Sequence, residues 1–230
     1  KLWRLINMYK INKIEVKYTA DLAEIMGIIL GDGGLYPTRS NKLSTTVVFN
    51  KLEENYLNYV KSLFEKHFYP YKFYSYNADH TLMLLNQSVY VGKYLLESGM
   101  ILGDKIRSKV VIPNWIFQEK LLLYFIRGMF DTDGCVYRKY DNYAQIQFKL
   151  GSYPLILSIR RALTELNFNP TRIREEFHLK GGAGINWKFC LCRQPEIKRF
   201  FEIIKPKNSK HIHRLNKIWG RREFPESSSF

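Results

Sequence analysis

The stretch Ile25-Met-Gly-Ile-Ile-Leu-Gly-Asp-Gly33 returns later in the chain as Ile126-Arg-Gly-Met-Phe-Asp-Thr-Asp-Gly134, with its final acidic residue displaced by 101 positions. The similarity continues downstream, because Val47-Val-Phe-Asn50 is matched by Ile146-Gln-Phe-Lys149. Self-similarity of this kind indicates that a fold is built from related units. The sequence therefore predicts two halves, each of which opens on an apolar segment that ends in Asp-Gly.

Each half shows the same order of predicted elements: a helix, two strands, a helix, two strands and a last helix. This αββαββα order, present twice, predicts an α+β fold in which helices back antiparallel sheets. The predicted helices span 22–31, 53–67 and 89–98 in the first half and 121–131, 154–167 and 195–204 in the second. The predicted division is an N-terminal extension (1–19), a first half (20–115), a second half (116–219) and a C-terminal tail (220–230).

Composition limits the possible partners. The chain has 230 residues, 46% of them hydrophobic, which predicts a globular protein with a sizeable core. A formal charge of +15 favours a polyanion such as nucleic acid, since neutralising phosphates releases counterions. No apolar run approaches the roughly 20 residues that span a bilayer, so no membrane partner is expected. The three cysteines form no CxxC pair, which favours a reducing compartment and ordinary packed thiols over a zinc ribbon.

The predicted strands alternate between apolar and polar residues, so each sheet should leave one polar face uncovered. Such a face can contact phosphates and base edges, and Arg and Gln can do so with two hydrogen bonds. The alternative is a plain solvated surface. The candidate nucleic-acid contacts are Arg39, Lys42, Ser44, Thr46, Lys72 and Tyr74 in the first half, and Arg138, Gln145, Gln147, Arg172, Arg174 and Lys188 in the second.

Small residues recur four positions apart in both motif helices, at Gly27 and Gly31 and again at Gly128 and Thr132. A stripe of small residues lets two helix backbones approach closely. If the helices pair, Asp32 and Asp133 meet at one end, where two carboxylates repel unless a cation lies between them. Hard oxygen ligands suit Mg²⁺, and the arrangement favours metal-assisted phosphodiester hydrolysis. Either acid alone could equally be a helix-end or turn residue.

The two motif copies resemble those of the LAGLIDADG homing endonuclease family, in its single-chain form, and the resemblance spans about 20–215. It implies a pseudo-twofold saddle on the major groove of a long, asymmetric DNA site. It also implies a monomer that cuts both strands of the DNA across the minor groove and leaves short 3′ overhangs. Asp32 and Asp133 would bind catalytic Mg²⁺, with the backbone carbonyls of Gly31 and Thr132 as further ligands. Mn²⁺ is expected to substitute, and Ca²⁺ to support binding without cleavage.

The same resemblance implies further catalytic groups. Lys149 and the weaker Asn50 match positions near the attacking water, and Lys105 or Lys109, together with Lys210, match basic residues of the two halves. The motif's earlier acid is present as Asp131 in the second copy only. Two other functions stay open: an intron-encoded RNA maturase, with host intron RNA as partner, and a non-cleaving DNA-binding regulator. An intracellular location, wherever the host DNA is, is expected for all three.

Overall fold

The computed structural model describes residues 14–178, 184–220 and 224. Its first half contains α1 (Ala20–Asp32), β1 (Gly33–Pro37), β2 (Leu43–Asn50), a 3-10 turn (Lys51–Glu53), α2 (Glu54–His67), β3 (Tyr74–Ala78), β4 (Thr81–Asn86) and α3 (Val89–Glu97). A short helix, α4 (Asn114–Gln118), connects the halves. The second half contains α5 (Leu122–Asp133), β5 (Gly134–Tyr140), β6 (Tyr143–Leu150), α6 (Tyr153–Glu165), β7 (Arg174–His178), β8 (Gly184–Leu191), α7 (Gln194–Ile204) and α8 (Ser209–Trp219).

Each half contributes one four-stranded antiparallel sheet, and the strand orders are equivalent: β1-β2-β4-β3 and β5-β6-β8-β7. The central strands bury one face. Val47 of β2 and Phe148 of β6 point into the core, as do their neighbours Leu84 and Phe189 on β4 and β8. The predicted fold class and tandem αββαββα order are confirmed. In the part of the chain described here, no helix is both long and apolar enough to cross a membrane.

Helices α1 and α5 form the interface between the halves. A Cβ atom added to Gly27 would lie 2.3 Å from Phe125 O and 2.9 Å from Met129 N, and one added to Gly128 would lie 2.2 Å from Glu24 O. Both distances to oxygen are far below van der Waals contact, so only glycine allows the two backbones to approach this closely. The small-residue stripe predicted from the sequence is therefore the site at which the helices cross.

A buried ion pair also joins α1 to α5. Arg127 Nη1 donates to Glu24 Oε2 at 2.9 Å, and Tyr59 OH donates to Glu24 Oε1 at 2.6 Å. Arg127 Nε donates to the carbonyl of Ile204 at 2.7 Å. Burial raises the pKa of Glu24, although Arg127 opposes the shift. The Glu24 carboxylate and the Arg127 guanidinium are each hydrogen-bonded. Removal of either side chain therefore leaves the other buried without its charged partner.

We expect Arg127→Met to lower the free energy of unfolding by about 3–5 kcal/mol, the cost of leaving one buried charge uncompensated. Urea denaturation measures the loss. Lys66→Met is the control, because Lys66 pairs with Asp21 at 2.8 Å with 73% of its side chain exposed, and such pairs contribute about 1 kcal/mol or less. Equal losses in the two variants would contradict a structural role for the buried pair.

Two helices were absent from the predicted order. The sequence pattern predicts seven elements in each half, and neither α4 nor α8 is among them. Helix α8 packs on β5 and β6 through a narrow stripe, Ile212, Leu215 and Ile218, on an otherwise polar segment. That spacing of three, after the helix-capping Asn208, is the signal that could have revealed it.

Two strands also begin later than predicted. Alternation of residues predicts the third strand of each half over 71–77 and 171–178, whereas β3 starts at Tyr74 and β7 starts at Arg174. The preceding residues bond to side chains or to the end of a neighbouring strand: Asn86 Nδ2 donates to Lys72 O at 2.8 Å, and Thr171 Oγ1 accepts from Cys190 N at 2.9 Å. Loop contacts of this kind cannot be read from alternation alone.

Candidate functional site

Asp32 and Asp133 are the last residues of α1 and α5, and a strand begins directly after each of them. The paired helices bring these ends together, because a Cβ atom on Gly31 would lie 2.0 Å from Thr132 Oγ1 and 3.3 Å from Asp133 Oδ2. Two causes raise the pKa of Asp133 to about 7: burial has the larger effect, and repulsion from Asp32 adds to it. Asp32 keeps contact with solvent, but partial burial still raises its pKa. The structure thus brings the two motif carboxylates to one place.

The Lys105 ammonium lies against backbone carbonyls at the C-terminal end of α1. Its Nζ is 2.9 Å from Leu30 O and 2.9 Å from Gly33 O. It is 3.2 Å from Ile29 O and also donates to Gly31 O. An ammonium has only three N–H groups, so four close carbonyl oxygens form an oxygen-rich cage that suits a cation. The predicted ligand Gly31 O is part of this cage.

These groups fit a hard divalent cation. Asp32, Asp133 and Gly31 O offer oxygen donors, and Mg²⁺ is commonly held by one or two carboxylates together with water and substrate phosphates. Across 14–178, 184–220 and 224, no cluster of three or more His, Cys, Asp or Glu side chains could hold a metal. Thr132 Oγ1 donates to Gly128 O at 2.9 Å, so this hydroxyl is turned back onto its own helix. Phosphate and water would have to complete the coordination.

The cleft beside Asp32 contains a third carboxylate. Lys210 Nζ donates to Glu53 Oε1 at 2.8 Å, and Asn208 Nδ2 donates to the same oxygen at 2.9 Å. Burial alone would raise the pKa of Glu53, but these hydrogen bonds and one from Asn50 N lower it. The cation of Lys210 therefore bonds to Glu53 and also acts electrostatically on both motif aspartates.

The predicted water-positioning residues fall in different surroundings. Asn50 lines the cleft with Asp32, but its Oδ1 accepts from Leu52 N at 3.0 Å and caps the 3-10 turn. Lys149 is paired with Glu176 at 3.2 Å on the open face of the second sheet. Side chains of α8 also line the cleft, among them His213 and Arg214. The structure thus brings Asn50, Lys105 and Lys210 to the carboxylates, while Lys149 is engaged on the sheet.

The predicted nucleic-acid contacts occupy three kinds of position. By strand register, Ser44, Thr46 and Tyr74 lie on the open face of the first sheet, and Gln145, Gln147, Arg174 and Lys188 lie on that of the second. The rest, except Arg138, stand at the rims: Arg39 and Lys42 in the β1–β2 loop, Lys72 before β3, and Arg172 before β7. Arg138 lies instead on the helix-covered face, because it is opposite buried Ala144 in the register and its Nη2 donates to Lys217 O of α8 at 3.3 Å.

Two of these side chains are more deeply buried than the strand alternation predicts. Ser44 is 9% exposed and Gln145 is 6% exposed. Gln145 Oε1 accepts a hydrogen bond from Tyr137 OH, and its Nε2 lies 3.0 Å from Cys192 Sγ. The amide oxygen and amide nitrogen of Gln145 are therefore already hydrogen-bonded to neighbouring groups on the same face. Cys135, Cys190 and Cys192 are free, half-buried thiols, as the sequence predicted.

Comparison with known proteins identifies the fold. Residues 120–205 match the family model of the LAGLIDADG-like domain, and the first half repeats the same sheet topology. The chain has the LAGLIDADG fold. A structure of the homing endonuclease I-DmoI in complex with its target DNA nicked in the coding strand, in the presence of Mn, aligns with a TM-score of 0.58 and 20% identity over 81% of this chain and 96% of that one.

Two further solved structures align over more of the chain. A mutant of I-SmaMI aligns with a TM-score of 0.55 and 10% identity over 92% of this chain and 100% of that one. Full-length WhiA from Thermatoga maritima aligns with a TM-score of 0.55 and 14% identity over 93% of this chain and 64% of that one. No curated protein matches the sequence. At these identities the likeness establishes the fold, and the function has to be argued from the site.

The motif's earlier acid, Asp131, has a structural role in the second half. Asp131 is fully buried, and its carboxylate accepts from Lys207 N at 2.8 Å and from Asn208 N at 3.2 Å. Burial raises the pKa of Asp131 to about 7, against the effect of these hydrogen bonds. Asp131 therefore holds the start of α8, and with it Lys210, over the site. The first copy has Leu30 at this position, and there Lys105 reaches the helix end directly.

Sequence reasoning missed Glu53 as a member of the site. Asn50-Lys-Leu-Glu53 forms a capping box, in which Glu53 Oε2 accepts from Asn50 N at 2.9 Å. In the sequence this pattern indicates only a helix start. The bond to Lys210 joins residues 157 positions apart, so no local signal could have predicted it.

Proposed function

We propose that this chain is a site-specific DNA endonuclease that cuts both strands of a long, asymmetric duplex by Mg²⁺-dependent phosphodiester hydrolysis and leaves short 3′ overhangs. One observation carries the proposal: two carboxylates, one from each half, meet at the end of paired helices, between two sheets with uncovered faces. A protein that only bound DNA would gain nothing from two acids beside the phosphates, because they repel the ligand. The I-DmoI complexes with target DNA and metal support the same conclusion.

The chain's own residues supply the rest of the chemistry. Asp32 and Asp133 would hold divalent cations, which polarise the scissile phosphate and lower the pKa of the attacking water when bound. Lys105 and Lys210 act electrostatically on both carboxylates and can stabilise the negative charge that develops on phosphate oxygens. Glu53 fixes Lys210 through a 2.8 Å bond, so this cation is held in place before substrate arrives.

The proposal is tested with a plasmid library of randomised sites. We expect linear products to form only when Mg²⁺ or Mn²⁺ is present and to disappear when EDTA removes the metal. Ca²⁺ should retain the protein on its site without cutting. Retention of a preferred site with no nicking in any metal would contradict the endonuclease proposal and favour a DNA-binding regulator. Splicing of a host intron without nicking would favour a maturase.

We also propose that the chain acts as a monomer inside the cell that carries its DNA target. Both halves of the site come from one chain, and the α1–α5 interface takes the place that a second subunit would otherwise fill. Light scattering of the DNA-bound protein tests this: we expect one chain per duplex, and two chains per duplex would contradict it.

A further inference from the structure

The centre of the first sheet's open face is apolar. Thr46 of β2 lies opposite Leu85 of β4, and Val48 of β2 lies opposite Met83 of β4. All four side chains are half-buried, so each keeps part of its surface open to solvent. No charged side chain belongs to this block. The strand alternation predicts a polar face here, and Val48, Met83 and Leu85 make its centre apolar instead.

Tyrosines extend the apolar block on both sides. Tyr74 and Tyr76 of β3 are next to Leu85 and Met83, and they are 61% and 51% exposed. On the other side, the Tyr36 ring lies over Gly34, where a Cβ atom would approach the ring to 2.4 Å. An exposed, continuous apolar and aromatic surface of this kind marks an interaction site.

The second sheet has the opposite chemistry at equivalent places. Gln147 stands where the first half has Val48. Lys149 and Lys188 both bond to Glu176, at 3.2 Å and 2.6 Å, and Arg174 lies opposite Lys188 in the register. This face therefore offers charged and amide groups that donate and accept hydrogen bonds.

Positive charge at the rim of the first sheet suits a polyanion. Arg39 and Lys42 extend from the β1–β2 loop, and Lys72 precedes β3. Lys42 and Lys72 line one groove together with Tyr74, Tyr76 and Leu85. Duplex DNA presents phosphates at the edges of its major groove and base edges between them, which matches basic rims around a central patch.

The apolar centre selects among base pairs. The thymine C5 methyl is the one apolar group that a base pair presents in the major groove. Every base pair presents donors and acceptors there, but only a pair that contains thymine also offers a methyl group to pack against Val48, Met83 and Leu85, so a G·C pair lacks this favourable contact. We infer that the first sheet recognises an A·T-rich half-site through thymine methyl groups, while the second sheet recognises a half-site richer in G·C pairs through hydrogen bonds. This inference rests on the proposed function.

The experiment selects duplexes from a randomised library with the whole wild-type chain in Ca²⁺, which should retain the protein on its site without cutting. The selection is repeated with Met83→Gln and, as its matched counterpart on the other sheet, Gln147→Leu. Positions whose base preference changes with Met83→Gln define the half-site under the first sheet. We expect thymines there, and G·C pairs at the positions that respond to Gln147→Leu. Unchanged thermal melting of both variants shows that they fold.

The decisive step replaces thymine by deoxyuracil, which removes only the methyl group. In the first half-site each contacted methyl should weaken binding about fourfold, whereas the same replacement in the second half-site should have little effect. Equal effects in both half-sites, or none, would overturn the inference while leaving the endonuclease proposal intact. Failure to select any duplex would defeat both. Preferential retention of single strands would overturn it in favour of base stacking on the tyrosines.

Discussion

Asp32→Asn and Asp133→Asn are each expected to slow DNA cleavage by at least about 100-fold, since each removes one of the two motif carboxylates that would hold the metal. Binding of the duplex should remain within about threefold of wild type, because asparagine keeps the volume of aspartate and removes a negative charge from the phosphate-binding cleft. Burial is the main cause of the raised pKa of Asp133, about 7, and the repulsion from Asp32 that adds to this shift should be lost in Asp32→Asn. Single-turnover cleavage and equilibrium binding, measured on the same duplex, test both parts.

Glu202→Gln is the matched control, because Glu202 is an exposed acid on α7, away from the cleft. It should cleave like wild type. Equal loss of cleavage and binding in the two Asp→Asn variants would count against metal catalysis at this pair and point to a structural role. Retained cleavage in either variant would remove that residue from the mechanism.

Gly27→Ala is expected to destabilise the protein by about 3 kcal/mol or more, the upper part of the range for overpacked sites. The new methyl group would lie 2.3 Å from Phe125 O and 2.9 Å from Met129 N. Both contacts are with backbone, so no side-chain rotation can relieve them. The loss should occur although alanine favours a helix over glycine by about 1 kcal/mol. A lower urea midpoint with an unchanged slope is the expected measurement.

Gly184→Ala provides the comparison for a glycine in open space. Among the residues that the structure describes, no atom other than those of its chain neighbours lies within 4 Å of a Cβ atom built there, so its urea midpoint should stay close to wild type. Gly27→Ala should also impair cleavage at temperatures where it remains folded, because separating α1 from α5 changes the spacing of Asp32 and Asp133. A Gly27→Ala protein with wild-type stability would mean that the helices do not cross at this residue.

Several site residues show where sequence reasoning stops. Lys105 and Lys210 can be proposed from their place after each half, and both act electrostatically on the two motif carboxylates. Lys149 was placed beside the attacking water by analogy, yet Glu176 binds it on the sheet face. Glu176 comes from a different strand, and neither its position nor its charge marks it as a partner in the sequence. A pairing between side chains of separate strands depends on register, which the sequence specifies only through the whole fold.

The sequence by itself determined the two halves, their α+β order and the two aspartates that meet, because repetition, apolar periodicity and small-residue spacing are local patterns that persist along the chain. Only the tertiary structure decided which groups surround those aspartates. The contacts of Asp131 with residues 207 and 208, the bond between Lys210 and Glu53, and the apolar centre of the first sheet all join segments far apart in the chain. Such contacts depend on the relative placement of packed elements, and no local spacing encodes that placement.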